Sequence, residues 1–154
     1  AATLLAAAYA AASVLGNARS IGFEALGLAG VSLSAPMMAA AADRPLDGSI
    51  FGAAALALGY FLSSVAYVRA YERLRENRQA AIRSCVAAHI ALTAALVALA
   101  FYGALPRLWW IAFVPVIART VWGLARPPGN VRQVGLREAW VAASFTLLAC
   151  VALI

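Results

Sequence analysis

The residues best placed to do chemistry lie in one short polar stretch, Tyr67-Val68-Arg69-Ala70-Tyr71-Glu72-Arg73-Leu74-Arg75-Glu76-Asn77-Arg78. Read as a helix, it places Arg69, Glu72, Arg73 and Glu76 along one stripe at i, i+3, i+4 and i+7, with pairs Arg69–Glu72, Glu72–Arg75 and Arg73–Glu76 able to neutralise one another. The plain reading is a solvated helix end that anchors topology. The sharper one is an anion clamp, because a guanidinium offers a planar fork of donors suited to phosphate or carboxylate. Arg119 stands about six residues inside the fifth apolar segment. A charge at that depth costs a few kcal/mol unless it snorkels to the surface or faces a polar interior. Both readings are open, the second requiring a buried partner or a ligand. Pro115, four residues earlier, removes one helical donor and so frees a carbonyl. His89, the single histidine, sits one to two turns inside the fourth segment and is expected to bond a neighbouring helix or to handle a proton. Glu24 and Glu138 are placed at helix starts, where the macrodipole favours a carboxylate.

The candidate ligand-binding set is therefore Arg69, Glu72, Arg73, His89, Arg119 and Glu138, with Asn17, Glu24 and Arg137 on the same membrane side. No catalytic group is assigned. Motifs for phosphate-binding loops, zinc proteases, serine hydrolases and calcium loops are absent. Cys85 and Cys150 lie in separate apolar segments and read as small buried filler. No disulfide framework, metal site or cofactor follows from them.

The elements that must hold these residues are set by composition. Of 154 residues, 65% are hydrophobic and 12% charged, against roughly 45–50% and about 25% in a soluble domain. Mean hydropathy is +0.87. A water-soluble globule of this size buries only about 70% of its surface and could not hide so much apolar side chain. The chain reads as an all-α polytopic transmembrane bundle, one unit over residues 1–154. The apolar runs are long and continuous, so helices rather than alternating barrel strands cross the bilayer. Six segments are expected, at about 1–15, 21–42, 49–68 with a polar helical extension, 82–104, 108–125 and 139–154. The first is too short to span by itself unless residues precede Ala1. Turns are expected at Gly16–Ser20, at Asp43–Gly48, at Pro106 and at Arg126–Asn130.

The formal charge of +6 reads as basic loops facing anionic lipid, not as nucleic-acid binding. Arg19, Arg69, Arg73, Arg75, Arg78, Arg83, Arg126, Arg132 and Arg137 fall on one side, against Arg44 and Arg107 on the other. By the positive-inside rule the loops near 16–20, 69–83 and 126–138 face the cytoplasm. Trp109 and Trp110 suit the outer interface, and Trp140 the inner one.

The run Gly59-Tyr60-Phe61-Leu62-Ser63-Ser64-Val65-Ala66-Tyr67-Val68-Arg69, the Arg-rich loop, the helix bearing His89, then Arg119 and Val131-Arg132-Gln133-Val134-Gly135-Leu136-Arg137-Glu138 follow in an order that resembles the YwiC-like family of bacterial multipass membrane proteins. The resemblance covers nearly the whole chain and about the C-terminal two-thirds of such a protein. It implies a bacterial inner-membrane protein whose family-like positions are Tyr67, Arg69, His89, Arg119 and Gly135–Glu138. A broader comparison is with UbiA-type prenyltransferases, whose acidic motifs hold a prenyl diphosphate through magnesium. Here the only aspartates, Asp43 and Asp47, fall on the predicted outer side. Three functions remain open: binding of a lipid or small anion at an Arg-rich cytoplasmic face, a prenyltransferase-like enzyme, and a small-molecule transporter with a polar path through His89 and Arg119.

Overall fold

The computed structural model describes residues 21–153 except 44, 75 and 128, with side chains described outside 21–26, 131 and 153. The expected segment 1–15, the turn at 16–20 with Asn17 and Arg19, and Arg44, Arg75 and the Glu24 side chain lie outside the described residues. The rest is helical, in the order α1 Ile21–Ser32, α2 Ser34–Ala41, α3 Gly48–Arg73, α4 Arg78–Phe101, α5 Trp109–Ala125 and α6 Val131–Leu153, and no strand occurs among the described residues. Three helices, α3, α4 and most of α6, are long and apolar enough to cross a membrane. At about 1.5 Å per residue they measure roughly 35–39 Å, which clears a hydrocarbon core of about 30 Å. With 17 residues, α5 reaches only about 26 Å. The segment expected at 21–42 is two helices, interrupted at Leu33. The cause is Pro36, which has no N–H to return to Ser32 and whose ring crowds that carbonyl. Leu33 still donates to the Ala29 carbonyl at 3.0 Å and Met37 to the Leu33 carbonyl at 3.1 Å, so the helical path continues across the break.

The helix ends follow local chemistry. Asp47 caps α3, its Oδ1 accepting from Ser49 N at 3.0 Å, Ile50 N at 3.1 Å and the Ser49 hydroxyl at 2.6 Å. The helix ends at Arg73, and Asn77 caps α4 through Ala80 N at 3.0 Å. Glu76 is therefore in the turn, and the expected helical Arg73–Glu76 pairing does not apply. The fourth helix ends at Phe101, not at Pro106. Gly103 takes φ +74°, and a paired closure follows, with Gly103 N on Ala100 O at 3.0 Å and Ala104 N on Leu99 O at 2.9 Å. A Cβ would strain that left-handed residue, which is why the stop lies at the glycine. The last helix starts at Val131, eight residues before the expected boundary. Asn130 Oδ1 accepts from Gln133 N at 2.9 Å, and Gln133 Oε1 accepts in return from Gly129 N at 3.0 Å. This reciprocal cap starts the helix while its residues are still polar.

Helix α3 is central. It packs against α4 in an antiparallel hairpin and also touches α1, α2, α5 and α6, while α5 and α6 form the second hairpin. Its buried positions Gly52, Ala54, Leu56, Gly59, Tyr60, Ser63, Tyr67 and Ala70 follow one helical face, and five of the eight are small. Small residues let helices approach where lipid offers no hydrophobic push between them. Helix α5 is ordered inside out. Ala112, Val116, Arg119 and Thr120 are buried, whereas Val114, Ile117, Val121 and Trp122 are more than half exposed. Turning the two polar side chains Arg119 and Thr120 inward while apolar ones face out suits a hydrocarbon solvent.

Two apolar clusters result. The larger joins Leu56, Tyr60, Leu96, Leu105, Ala112, Phe113, Val116, Phe145 and Ala149. Tyr60 and Phe145 stack at 4.7 Å between ring centroids, and Phe113 meets Phe145 edge-on at 5.4 Å. The smaller cluster, Ala70, Ala81, Cys85 and Leu124, closes the end of the bundle that carries the arginines. Cys85 is buried filler as expected, but Cys150 is exposed on the outer face of α6.

Candidate functional site

Between the two apolar clusters lies a polar layer contributed by α3, α4, α5 and α6. Its centre is Arg119, whose side chain is 3% exposed. Arg119 does not snorkel. Its Nη1 donates to both carboxylate oxygens of Glu138 at 2.6 Å, and Nη2 donates to the Ser63 hydroxyl at 3.1 Å. The guanidinium also lies over the Tyr67 ring, 4.5 Å from its centroid. Glu138 is therefore not a carboxylate at a helix N-terminus. It sits two turns inside α6, and its charge is matched by Arg119 rather than by the helix dipole. Burying a lone charge at this depth would be costly, and the pairing removes most of that cost.

The layer continues to His89. Nδ1 lies 2.8 Å from the Cys85 carbonyl, which can only accept, so Nδ1 carries a proton. Nε2 faces the Ser63 hydroxyl at 2.9 Å and the Thr120 hydroxyl at 3.2 Å. Thr120 already donates to Val116 O at 2.9 Å. Ser63, accepting a hydrogen bond from Arg119, has its own hydroxyl proton to donate to Nε2. The direction runs Arg119 to Ser63 to His89 to the Cys85 carbonyl. His89 thus bonds α3 through Ser63, with the Thr120 hydroxyl of α5 set 3.2 Å from the same nitrogen. Gly123 completes the layer, because a Cβ there would stand 2.6 Å from Tyr67 Cζ. The absence of that carbon lets the phenol ring slot between α3 and α5 beneath Arg119. Two donors in this layer, Tyr67 Oη and Arg119 Nε, are buried with no partner.

A cleft of about 670 Å³ opens beside this layer, lined by Tyr60, Phe61, Ser64, Val65, Val68, Arg69, Glu72 and Arg73 of α3 and by Glu138, Ala139 and Ala142 of α6. No other helix contributes to its walls among the described residues. Four of the six expected ligand residues, Arg69, Glu72, Arg73 and Glu138, line it together. Arg119 does not; it stands behind Glu138 and holds it. His89 lies outside the cleft, bonded instead to Ser63 and the Cys85 carbonyl and beside the Thr120 hydroxyl. Glu72 and Arg73 are exposed at the mouth and Arg69 is half-buried just inside. Ser63, Thr120 and the Glu138 partnership escaped the sequence reading. The first two are hydroxyls that an apolar run conceals. The Asn130–Gln133 capping pair was the available signal that α6 begins early enough to carry Glu138 inside it. No cluster of three or more His, Cys, Asp or Glu side chains that could hold a metal ion occurs among the described residues.

Comparison with family models, with curated proteins and with solved structures gives no match to this chain.

Proposed function

We propose that this chain is a multipass protein of the bacterial cytoplasmic membrane that binds an anionic amphiphile in the cleft between α3 and α6. The observation that carries the reading is the polarity gradient along that cleft. Arg69, Glu72 and Arg73 stand at the mouth, and Phe61, Val65, Val68 and Ala142 line the walls deeper in the bundle. The Glu138 charge is matched by Arg119 from behind, so the remaining lining charges sum to a net positive mouth above an apolar trough. A lipid presents the complementary order, anion outside and chain inside.

The orientation rests on the arginines. Among the described residues, Arg69, Arg73, Arg78, Arg83, Arg126, Arg132 and Arg137 gather toward one end of the bundle and Arg107 toward the other. That asymmetry supports a cleft mouth at the cytoplasmic surface. Six spans would comprise α3, α4 and α6, the shorter α5, the α1–α2 pair and the segment at 1–15. The YwiC-like reading is supported by where its residues lie: Tyr67, His89, Arg119 and Glu138 share one polar layer, and Arg69 stands one turn away. A transporter is the second reading, favoured by the Arg119–Glu138 pair, since two opposite intramembrane charges beside a cleft are also what a solute path needs.

Native mass spectrometry of the protein released from nanodiscs tests the first reading. Phosphatidylglycerol is expected to be retained in preference to phosphatidylcholine, and Arg73→Gln is expected to abolish that preference without changing the helical ellipticity. Equal retention of the two lipids by the unmodified protein would overturn it.

A further inference from the structure

The deep wall of the cleft adds a requirement of its own. Glu138 lines it with an 18% exposed side chain, while the guanidinium that holds it is enclosed. A bound molecule can therefore reach the carboxylate but not Arg119. The neighbouring Tyr60 hydroxyl is directed to the Glu138 main-chain carbonyl at 3.4 Å. At this level the cleft presents the Glu138 carboxylate as acceptor beside the Ser64 hydroxyl, whereas the mouth, with Arg69 and Arg73, is a donor for anions.

Their order along the membrane normal is fixed by the helix. Glu138 is level with Ser64, because Arg119 Nη1 reaches both. Ser64 is five residues before Arg69, which at about 1.5 Å per residue sets the acceptor roughly 7 Å nearer the bilayer centre than the Arg69 backbone. Just below an anionic head group, an ordinary diacyl lipid carries ester carbonyls. Those are acceptors too; the Ser64 hydroxyl can meet one of them, but they bring no proton to the Glu138 carboxylate. A hydroxyl at that depth supplies the proton. An ammonium would supply one as well, but it would stand between the mouth arginines and Arg119. The volume agrees: 670 Å³ holds about 22 groups of water size at roughly 30 Å³ each, enough for a head group and most of one chain.

We infer that the cleft is built for a single-chain anionic amphiphile with a hydroxyl between its anionic group and its chain, the hydroxyl donating to Glu138 while Arg69 and Arg73 hold the anion. A lysophospholipid has this chemistry. The inference rests on the anionic-amphiphile reading given above and adds the chain number and the donor. Glu138 is then the specificity-determining contact and Arg119 the positioning residue that keeps its carboxylate aimed.

The test is competitive binding to the full chain in nanodiscs, with three probes: 1-oleoyl-lysophosphatidate, its 2-O-methyl ether and dioleoyl phosphatidate. One hydrogen bond to a charged acceptor predicts that the hydroxyl form binds about tenfold or more tightly than the ether. The diacyl lipid is expected to bind no better than the ether. Glu138→Gln is expected to shrink the ratio to a few-fold, because an amide oxygen still accepts without charge. If that variant fails to fold for want of a partner for Arg119, the probe comparison on the unmodified protein stands by itself. Equal affinity for hydroxyl and ether, with Arg73→Gln weakening both, would overturn the donor requirement and leave anionic-amphiphile binding intact. Binding that Arg73→Gln does not weaken would overturn both.

Discussion

The Arg119–Glu138 pair makes the sharpest prediction about stability, because its two members are unequally enclosed. Glu138→Leu leaves a guanidinium that is 3% exposed and cannot lose its proton. Removing one partner of a buried pair in this way costs about 3–5 kcal/mol. Arg119→Leu is milder. It loses the Ser63 bond and the stacking over Tyr67, about 1 kcal/mol each, but the stranded carboxylate is 18% exposed on the cleft and can draw on water. The expected loss is about 2–3 kcal/mol. In the double variant neither charge is stranded, and leucines fill much of the space. Replacing a buried pair by apolar side chains is often neutral, so the double variant is expected within about 1–2 kcal/mol of the unmodified protein. The coupling is then about 3–7 kcal/mol, far above the roughly 0.5 kcal/mol seen between independent sites. Reversible unfolding in mixed micelles titrated with dodecyl sulfate, followed by ellipticity at the helix minimum, measures all four corners of the cycle. Losses that simply add, or an Arg119→Leu variant less stable than Glu138→Leu, would refute the claim that an enclosed ion pair organises the polar layer.

Two further predictions concern the ends of the bundle. The Ser49 hydroxyl, followed by the Ile50 amide, holds the Asp47 carboxyl below the usual carboxylate range. The unfolded chain therefore takes up this proton first as pH falls. The cap's contribution is complete above the unfolded value and disappears as pH drops through the folded one. Asp47→Ala is expected to lower the melting temperature at pH 7, and the gap to the unmodified protein should close below about pH 4; a gap independent of pH would refute the capping role. In a Cys150→Ser background, Gly129→Cys in intact cells is expected to resist a membrane-impermeant maleimide and Leu46→Cys to react with it. The reverse pattern would place the Arg-rich end outside.

Much of this architecture is legible in the chain. Helix class, the breaks around Asp47 and Asn130, and the gathering of arginines at one end all follow from local rules, whereas the Asn77 cap interrupts a stretch that reads as continuous helix. A backbone in lipid must satisfy its hydrogen bonds within four residues, caps act within three, and hydropathy is a property of each segment alone. Within the site, Arg119 is conspicuous for its depth, and Arg69, Glu72 and Arg73 for their density. What could not be read from the chain is which residue meets which. Glu138 was assigned to a helix start because hydropathy marks where a segment becomes apolar, whereas the Asn130–Gln133 cap starts α6 two turns earlier among polar residues. Arg119 could equally have snorkelled; whether it does depends on the rotation of α5 about its axis. That rotation is set by the interlocking of Ala112, Val116 and Gly123 against α3 and its neighbours, and by Tyr67 entering the gap at Gly123. Likewise His89, one residue among many in an apolar run, gains a role only because Ser63 and Thr120 arrive from two other helices. Segment identity is a one-dimensional property, set by contacts near in sequence. Side-chain partnership depends on the phase and depth of each helix relative to the next, and in this protein only the packing of small residues along α3 decides both.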